Sequence, residues 1–119
     1  MNYTIKLPYQ NEVVPEKLNF SGTNPKTGEM LEVNKEYFMK NDKPWYPVMG
    51  EFHFSRYNPE KWEKEILKMK AGGIQIIASY IFWIHHEEAH GQWDWSGQRN
   101  LRKFIEACDK AGVYCLLRL

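Results

Sequence analysis

The feature that most constrains the fold is a regular alternation of apolar runs and amphipathic segments between residues 48 and 119. The runs at 48–54, 74–83 and 113–119 are largely β-branched, aromatic or aliphatic, which is typical of strands covered on both faces. Short joints link strand, helix, strand, helix and strand, the order of repeated right-handed parallel units. The sequence therefore predicts an α/β protein with a parallel sheet.

The first predicted helix runs from Asn58 to about residue 71. Asn58 suits the N-cap and Pro59 suits the first helical position. Trp62, Ile66 and Met69 recur at i, i+4 and i+7, so one apolar face should pack on a core. The Gly pair at 72–73 is expected to stop the helix.

The second predicted helix begins at Ser96 or Gly97 and ends near Gly112. Apolar side chains recur along it at i, i+3, i+4 and i+7, which again indicates one buried face. These positions are Leu101, Phe104, Ile105 and Cys108.

The N-terminal third has a different character. Residues 1–34 contain several Pro and Gly with little apolar periodicity, which predicts an irregular lead-in with at most short strands. Residues 36–47 predict a β-hairpin around a turn at 41–43, with Pro44 and Pro47 at a sheet edge. The hairpin should feed a central strand at 48–54. We therefore divide the chain into a lead-in, 1–34, and the first part of a barrel domain, 35–119.

Two parallel architectures fit this order. A doubly wound nucleotide-binding sheet normally has a Gly-rich loop after its first strand, whereas the joint here, HFSRYNPE, has no glycine. The alternative is a (β/α)₈ TIM barrel, which takes about 250 residues, so 119 residues would form its N-terminal portion with about three strands. Barrel chemistry lies at the carboxyl ends of strands, and those ends carry polar and aromatic residues: His53, Arg56, Tyr80, Trp83, His86 and Glu87.

Charge and hydropathy narrow the range of partners. The formal net charge is +1, which favours neither nucleic acid nor an anionic membrane as a partner. The chain as given has no apolar run of the roughly 20 residues that a membrane span needs, and no signal-peptide core. Cys108 and Cys115 are expected to be reduced thiols in packing positions.

One short motif points to a different chemistry. His86-Glu87-Glu88-Ala89-His90 has the H-E-x-x-H spacing of zinc hydrolases, in which a helix places both His on one face and Glu acts as base. Here the motif follows an apparent strand and is followed at once by Gly91, so we favour no metal. A zinc-dependent hydrolase, or a non-catalytic carbohydrate-binding fragment, remains the alternative.

The strand-end residues favour a sugar ligand, since sugar rings stack on aromatic side chains while their hydroxyls need donors and acceptors. Tyr80 is the best placed, because its phenol offers both a flat face and a polar atom. Each of His53, Arg56 and Trp83 could equally be structural. The Trp pair in GQWDWSG is interpreted as packing rather than as a sugar platform.

The segments GEFHFSRY, PEKWEKEILKMKAGG, SYIFW, His86-Glu87, GQWDWSG and FIEACDKAGVYCLLR occur in this order between Gly50 and Arg118. As a set they resemble the start of the catalytic barrel of glycoside hydrolase family 35, the retaining β-galactosidases. The resemblance implies hydrolysis of terminal β-galactosides without a cofactor. The family's two catalytic glutamates end its fourth and seventh barrel strands, so no catalytic residue is expected in this chain.

The resemblance carries over one substrate contact, Tyr80, which matches a tyrosine that binds a galactose hydroxyl. It implies supporting roles for His53, Arg56, Trp83 and Glu87. The sequence departs from the common pattern at Ile84, where Asn is frequent, and the oligomeric state is left open.

Overall fold

Seven strands and three α-helices make up the part of the chain that the computed structural model describes, residues 15–119. They belong to two units, one ending at Tyr46 and the other beginning at Pro47. Each unit has its own sheet, antiparallel in the first and parallel in the second. The mixed α/β class predicted from the alternation is therefore confirmed.

The first unit is a four-stranded antiparallel sheet with the order β1-β2-β3-β4. Its strands are β1 (Lys17–Thr23), β2 (Met30–Asn34), β3 (Phe38–Lys40) and β4 (Lys43–Trp45). Asn41 and Asp42, with φ of 49° and 60°, form the tight turn between β3 and β4. The predicted hairpin is confirmed, and Pro44 lies on the edge strand, where no ladder hydrogen bond is lost.

An irregular lead-in was expected over residues 1–34, and the structure differs. Residues 1–14 lie outside the described part, but 17–34 contain a strand of seven residues and one of five. All seven residues of β1 are exposed, and its alternation is limited to Leu18 and Phe20 before Ser21, Gly22 and Thr23, too short a pattern to mark a strand in a segment with several Pro and Gly. The predicted boundary between the lead-in and the barrel domain, at residue 34, falls between β2 and β3 of one sheet. The division of the chain into these two domains stays a prediction.

The second unit has the order strand, helix, strand, helix, strand that the sequence predicted. Its strands pair in parallel in the order β5-β6-β7, with β5 (Met49–Glu51), β6 (Ile76–Tyr80) and β7 (Tyr114–Arg118). The helices are α1 (Trp62–Ala71), α2 (Trp83–His86) and α3 (Leu101–Ala111). Short 3₁₀ turns occupy Phe54–Arg56, Pro59–Lys61 and Gly97–Arg99.

The prediction of a central strand at 48–54 was wrong in length and place. β5 covers three residues and lies at the edge of the described sheet, whereas β6 is its middle strand. The chain turns after Phe52 because Phe54 enters the core within a 3₁₀ turn, closed by a hydrogen bond from Arg56 N to His53 O of 3.0 Å. The strand predicted at 74–83 is likewise shorter, since Trp83 begins α2.

The core lies between the helices and one face of the parallel sheet. Gly50, Ile77 and Cys115 are register partners, and Ile77 and Cys115 belong to the cluster packed against α1 and α3. The apolar positions predicted for the helices supply much of this cluster, including Trp62, Ile66, Met69, Leu101, Phe104 and Cys108. Ile105 is the exception, because 37% of its surface is exposed.

Local hydrogen bonds explain where the helices begin and end. Asn58 Oδ1 accepts from Glu60 N at 2.9 Å, as the predicted cap requires. The second helix begins later than predicted, at Leu101, where Asn100 Oδ1 accepts from Lys103 N at 2.9 Å. Gly112 ends α3 in the left-handed region with φ of 67°.

Cys108 and Cys115 are free thiols. A hydrogen bond between the two sulfurs, followed by burial, raises the pKa of Cys108, and the same bond lowers the pKa of Cys115. No helix within residues 15–119 has the length and apolar character needed to cross a membrane.

Candidate functional site

The carboxyl ends of β5, β6 and β7 place three side chains on one face of the sheet. Glu51 is the register partner of Ala78, and Tyr80 is the partner of Arg118. Side chains alternate along a strand, and Ile77 faces the helices, so Ala78 and Tyr80 face the opposite way. Glu51, Tyr80 and Arg118 therefore share the face that the helices leave uncovered.

Tyr80 is the centre of this group. The His53 ring lies nearly parallel to it, with centroids 5.6 Å apart and planes 8° apart. The Arg118 guanidinium lies 4.0 Å from the Tyr80 centroid. Phe82 also stacks on Tyr80, at 5.6 Å and 23°. The ring is therefore held from several sides, yet 36% of Tyr80 stays exposed and open to a ligand.

Charged groups surround the aromatic ones. Glu51 Oε1 forms an ion pair with Arg118 Nη2, and Glu51 Oε2 lies 3.9 Å from His53 Nε2. The Arg56 guanidinium lies 5.7 Å from the Phe82 centroid. The structure thus brings together three of the predicted residues, His53, Arg56 and Tyr80. We call Glu51, His53, Tyr80, Phe82 and Arg118 the strand-end cluster.

Three nitrogen atoms of this cluster are buried without a hydrogen-bond partner among residues 15–119. They are His53 Nδ1, Arg118 Nε and Arg118 Nη2, and the last of these is the atom in the ion pair with Glu51. Buried polar atoms are normally hydrogen-bonded, so such atoms call for an explanation.

Trp83 and Glu87, the other two predicted supporting residues, lie together in the segment after β6. Trp83 Nε1 donates a 2.6 Å hydrogen bond to Glu87 Oε2, and Gly91 N donates one of 2.6 Å to Glu87 Oε1. The Trp83 ring meets the edge of Trp93, with centroids 4.7 Å apart. Both carboxylate oxygens of Glu87 thus brace this loop, and 64% of Trp83 is exposed.

The loop is fixed at its far end by Asp94. Hydrogen bonds from the side chain and backbone of Ser96, then one from Arg99, lower the pKa of Asp94 to about 2. Trp95 stacks on His86 with centroids 4.1 Å apart. Since His86 is buried, this contact supports the interpretation of Trp95 as a packing residue.

The H-E-x-x-H motif does not adopt the geometry that zinc binding requires. Helix α2 ends at His86, and a backbone bridge between Ala89 and Gln92 follows, so the two His residues do not share a helical face. His86 Nδ1 lies 3.2 Å from Asp94 O in the interior, whereas the His90 side chain is fully exposed. Within the described range 15–119, no three His, Cys, Asp or Glu side chains are grouped to hold a metal.

Glu51, Phe82 and Arg118 are members of the cluster that were not predicted as site residues. Arg118 and Phe82 follow the same rule as Tyr80, because each lies at or just beyond the carboxyl end of a parallel strand. Glu51 lies two residues before His53, and alternate residues of a strand share a face, so the position of His53 also indicated Glu51. Their pairing across strands depends on register, which the sequence did not specify.

A cluster of this kind, at the carboxyl edge of a parallel sheet with helices on its other face, defines an α/β protein whose strand ends are the candidate ligand site. Residues 37–119 match the model of glycosyl hydrolases family 35. The chain belongs to this family.

Individual proteins agree with the family match. The chain is 40% identical over 72 residues to "Beta-galactosidase 6" of Oryza sativa subsp. japonica, covering 60% of this chain and 8% of the relative. It is 33% identical over 88 residues to "Beta-galactosidase" of Mus musculus, covering 74% of this chain and 14% of the relative. The chain therefore spans a small part of the length of these relatives.

Among solved structures, a family 39 glycoside hydrolase from Bacteroides cellulosilyticus WH2 aligns with a TM-score of 0.45 and 17% identity, covering 75% of this chain and 20% of that one.

Proposed function

We propose that this chain is the first part of the catalytic domain of a β-galactosidase that cleaves terminal β-galactosides with retention. The observation that carries the proposal is the family match over residues 37–119, within which Tyr80 lies exposed at a strand end. The similar proteins of rice and mouse are named β-galactosidases. No cofactor is needed for this chemistry.

The strand order supports a barrel. In the second unit each successive parallel strand is added on the same side of the one before, in the order β5-β6-β7. A (β/α)₈ barrel continues around in this direction, and the flavodoxin-like doubly wound order 2-1-3-4-5 does not. The Rossmann order 3-2-1-4-5-6 shares this start, but it normally has a Gly-rich loop after its first strand, and the joint HFSRYNPE after β5 has no glycine. We propose that these strands are the first three of such a barrel.

Exposed apolar side chains lie where a fourth strand and its helix would pack. Leu117 of β7 is 36% exposed although it points to the helix side of the sheet, and Ile105 of α3 is 37% exposed. Lys110 of α3 pairs with Glu63 of α1, so α3 meets α1 along a different side from Ile105. A further strand and helix beside β7 would cover both apolar side chains.

In this proposal the strand-end cluster binds the galactose. Tyr80 offers its hydroxyl to a sugar hydroxyl, with His53 and Arg56 beside it, while Glu87 and Trp83 order the adjoining loop. Retaining hydrolysis needs two carboxyl groups about 5 Å apart, one as nucleophile and one as acid/base. We propose that glutamates outside this chain supply both.

The test is a kinetic assay of the complete polypeptide that contains this chain. We expect hydrolysis of p-nitrophenyl β-galactoside, and proton NMR should show the β-anomer of galactose as the first product. Hydrolysis with inversion, or turnover that is lost on removal of zinc, would refute the proposal.

A variant tests the role of Tyr80. Tyr80→Phe should lower kcat/KM by about 2- to 10-fold, since one hydrogen bond to the sugar is removed. Tyr46→Phe removes the same atom from an exposed residue of the first unit and is the matched control. Equal kinetics of Tyr80→Phe and wild type would contradict the assignment.

The barrel part of the proposal is tested on the chain itself by sedimentation. Two open strand edges and uncovered apolar side chains should make residues 1–119 self-associate when produced alone. A stable, dispersed monomer would count against the barrel.

A further inference from the structure

We infer that Arg118, held by Glu51, is a positioning residue for the galactoside reaction that acts by fixing the Tyr80 ring. The inference rests on the proposed function and deepens it. It assigns to two residues, on the strands that flank β6, a role that neither the motifs nor the family match gives them.

The contacts show why Tyr80 needs such support. Tyr80 is the last residue of β6 and is partly exposed, so its χ1 and χ2 angles are not fixed by core packing alone. His53 follows β5 and Arg118 ends β7, and β6 lies between these strands. The His53 ring centroid lies 5.6 Å from the Tyr80 ring centroid, and the Arg118 guanidinium lies 4.0 Å from it. The two groups therefore confine the Tyr80 ring from the β5 side and from the β7 side.

Arginine suits this role for a physical reason. Its planar guanidinium can stack on an aromatic face while its edge donates to a carboxylate, which an ammonium group does less well. The Arg118 guanidinium lies over the Tyr80 ring, and its Nη2 forms an ion pair with Glu51. The ion pair fixes the guanidinium, and the guanidinium in turn fixes the ring.

The contacts join the last residues of three strands. Glu51 ends β5, Tyr80 ends β6 and Arg118 ends β7. A shift of the Tyr80 hydroxyl away from its sugar partner would lose that hydrogen bond, so the positioning effect should be as large as the bond itself. Arg118 needs no contact with the sugar to have this effect.

A double-mutant cycle in the complete enzyme tests the inference. Arg118→Met, which keeps the bulk of the side chain but not the charge, should lower kcat/KM for p-nitrophenyl β-galactoside by about 2- to 10-fold, as Tyr80→Phe does. In the Tyr80→Phe background Arg118→Met should have almost no further effect, because the hydroxyl that it positions is gone. Galactose should inhibit each variant more weakly, in the same pattern.

Two further variants separate positioning from stability. Arg118→Lys should recover part of the loss, since the ion pair survives without the stacking. Glu51→Gln removes only the charge that holds Arg118, and it should show a smaller loss that also vanishes in the Tyr80→Phe background. Arg102→Met, which removes an arginine from the surface of α3, is the control for a general loss of charge.

The outcomes distinguish the role of Arg118 from the proposed β-galactosidase function. If the complete enzyme hydrolyses galactosides and the effects of Arg118→Met and Tyr80→Phe multiply, the inference is refuted while the proposed function stands. If Arg118→Met does not fold, the same criterion applies to Glu51→Gln. If the wild-type enzyme does not hydrolyse galactosides, the proposed function is refuted and the inference is refuted with it.

Discussion

Trp62→Phe should destabilise the turn that carries two of the site residues. Trp62 is buried, and its Nε1 donates to Phe54 O and to Tyr57 O, each at 3.2 Å. These two carbonyls bracket the 3₁₀ turn at Phe54–Arg56. A side chain of α1 thereby anchors the segment that holds His53 and Arg56 beside Tyr80.

The expected magnitude follows from the two things that the substitution removes. The shared hydrogen bond is worth about 0.5 to 1.5 kcal/mol, and Phe54 O keeps one partner, because Tyr57 N also donates to it. The Phe54 and Phe104 ring centroids lie 5.9 and 5.6 Å from that of Trp62, so the smaller phenylalanine ring leaves unfilled space beside them. The apolar burial lost in this way adds about 1 to 2 kcal/mol. The free energy of unfolding should therefore fall by about 1.5 to 3.5 kcal/mol.

Urea unfolding of the chain, followed by far-UV circular dichroism at one fixed protein concentration, measures this change. Trp93→Phe is the matched control, since Trp93 is 46% exposed and the same atoms are removed, and it should cost less than about 0.5 kcal/mol. Equal costs for the two variants would refute the role assigned to Trp62 in the core.

Three further predictions concern stability and are checked by the same unfolding measurement. Gly112→Ala should cost about 1 kcal/mol, because the residue has φ of 67° at the end of α3, and an unchanged midpoint would contradict this. Lys70→Met should cost about 0.5 to 1.5 kcal/mol, because Lys70 Nζ donates a 2.6 Å hydrogen bond to the last carbonyl of that helix, and equal stability would argue against this cap. Asp94→Asn should be less stable than wild type above about pH 4, and the difference should shrink as the pH falls from 4 to 2. The sign follows because Ser96 and Arg99 lower the pKa of Asp94 in the folded state to about 2, so its contribution is lost as the carboxylate is protonated; a difference as large at pH 2 as at pH 5 would contradict it.

The sequence predicted the parts of the fold that periodicity controls. The buried faces of α1 and α3, the cap at Asn58 and the left-handed Gly112 follow from spacing and local chemistry, and the structure has them. β1 was missed because its alternation covers only Leu18 and Phe20, in a segment with several Pro and Gly, and none of its seven residues is buried in a core. The turn at Phe54 was missed because its aromatic side chain looked like one more residue of a strand.

The site was predicted in part for a related reason. The rule that chemistry lies at strand ends identified His53, Arg56 and Tyr80 without knowledge of their contacts. The ion pair between Glu51 and Arg118 joins residues of the first and third strands, and only the register of all three strands places them together. Local sequence patterns carry no information on such a contact, because register is a property of the assembled sheet.

The two carboxylates near the site have other partners, and this bears on the proposed chemistry. Glu87 accepts hydrogen bonds through both of its oxygens, from Trp83 and from Gly91, and Glu51 is paired with Arg118. A retaining glycosidase needs one carboxyl group that attacks the anomeric carbon and another that carries a proton to the leaving group. A carboxylate that braces a loop, or one held by a guanidinium, is poorly suited to either task. In the proposed function this region therefore holds the sugar and does not cleave the bond, and we expect the orientation of the Tyr80 ring to be the property of the site most sensitive to substitution.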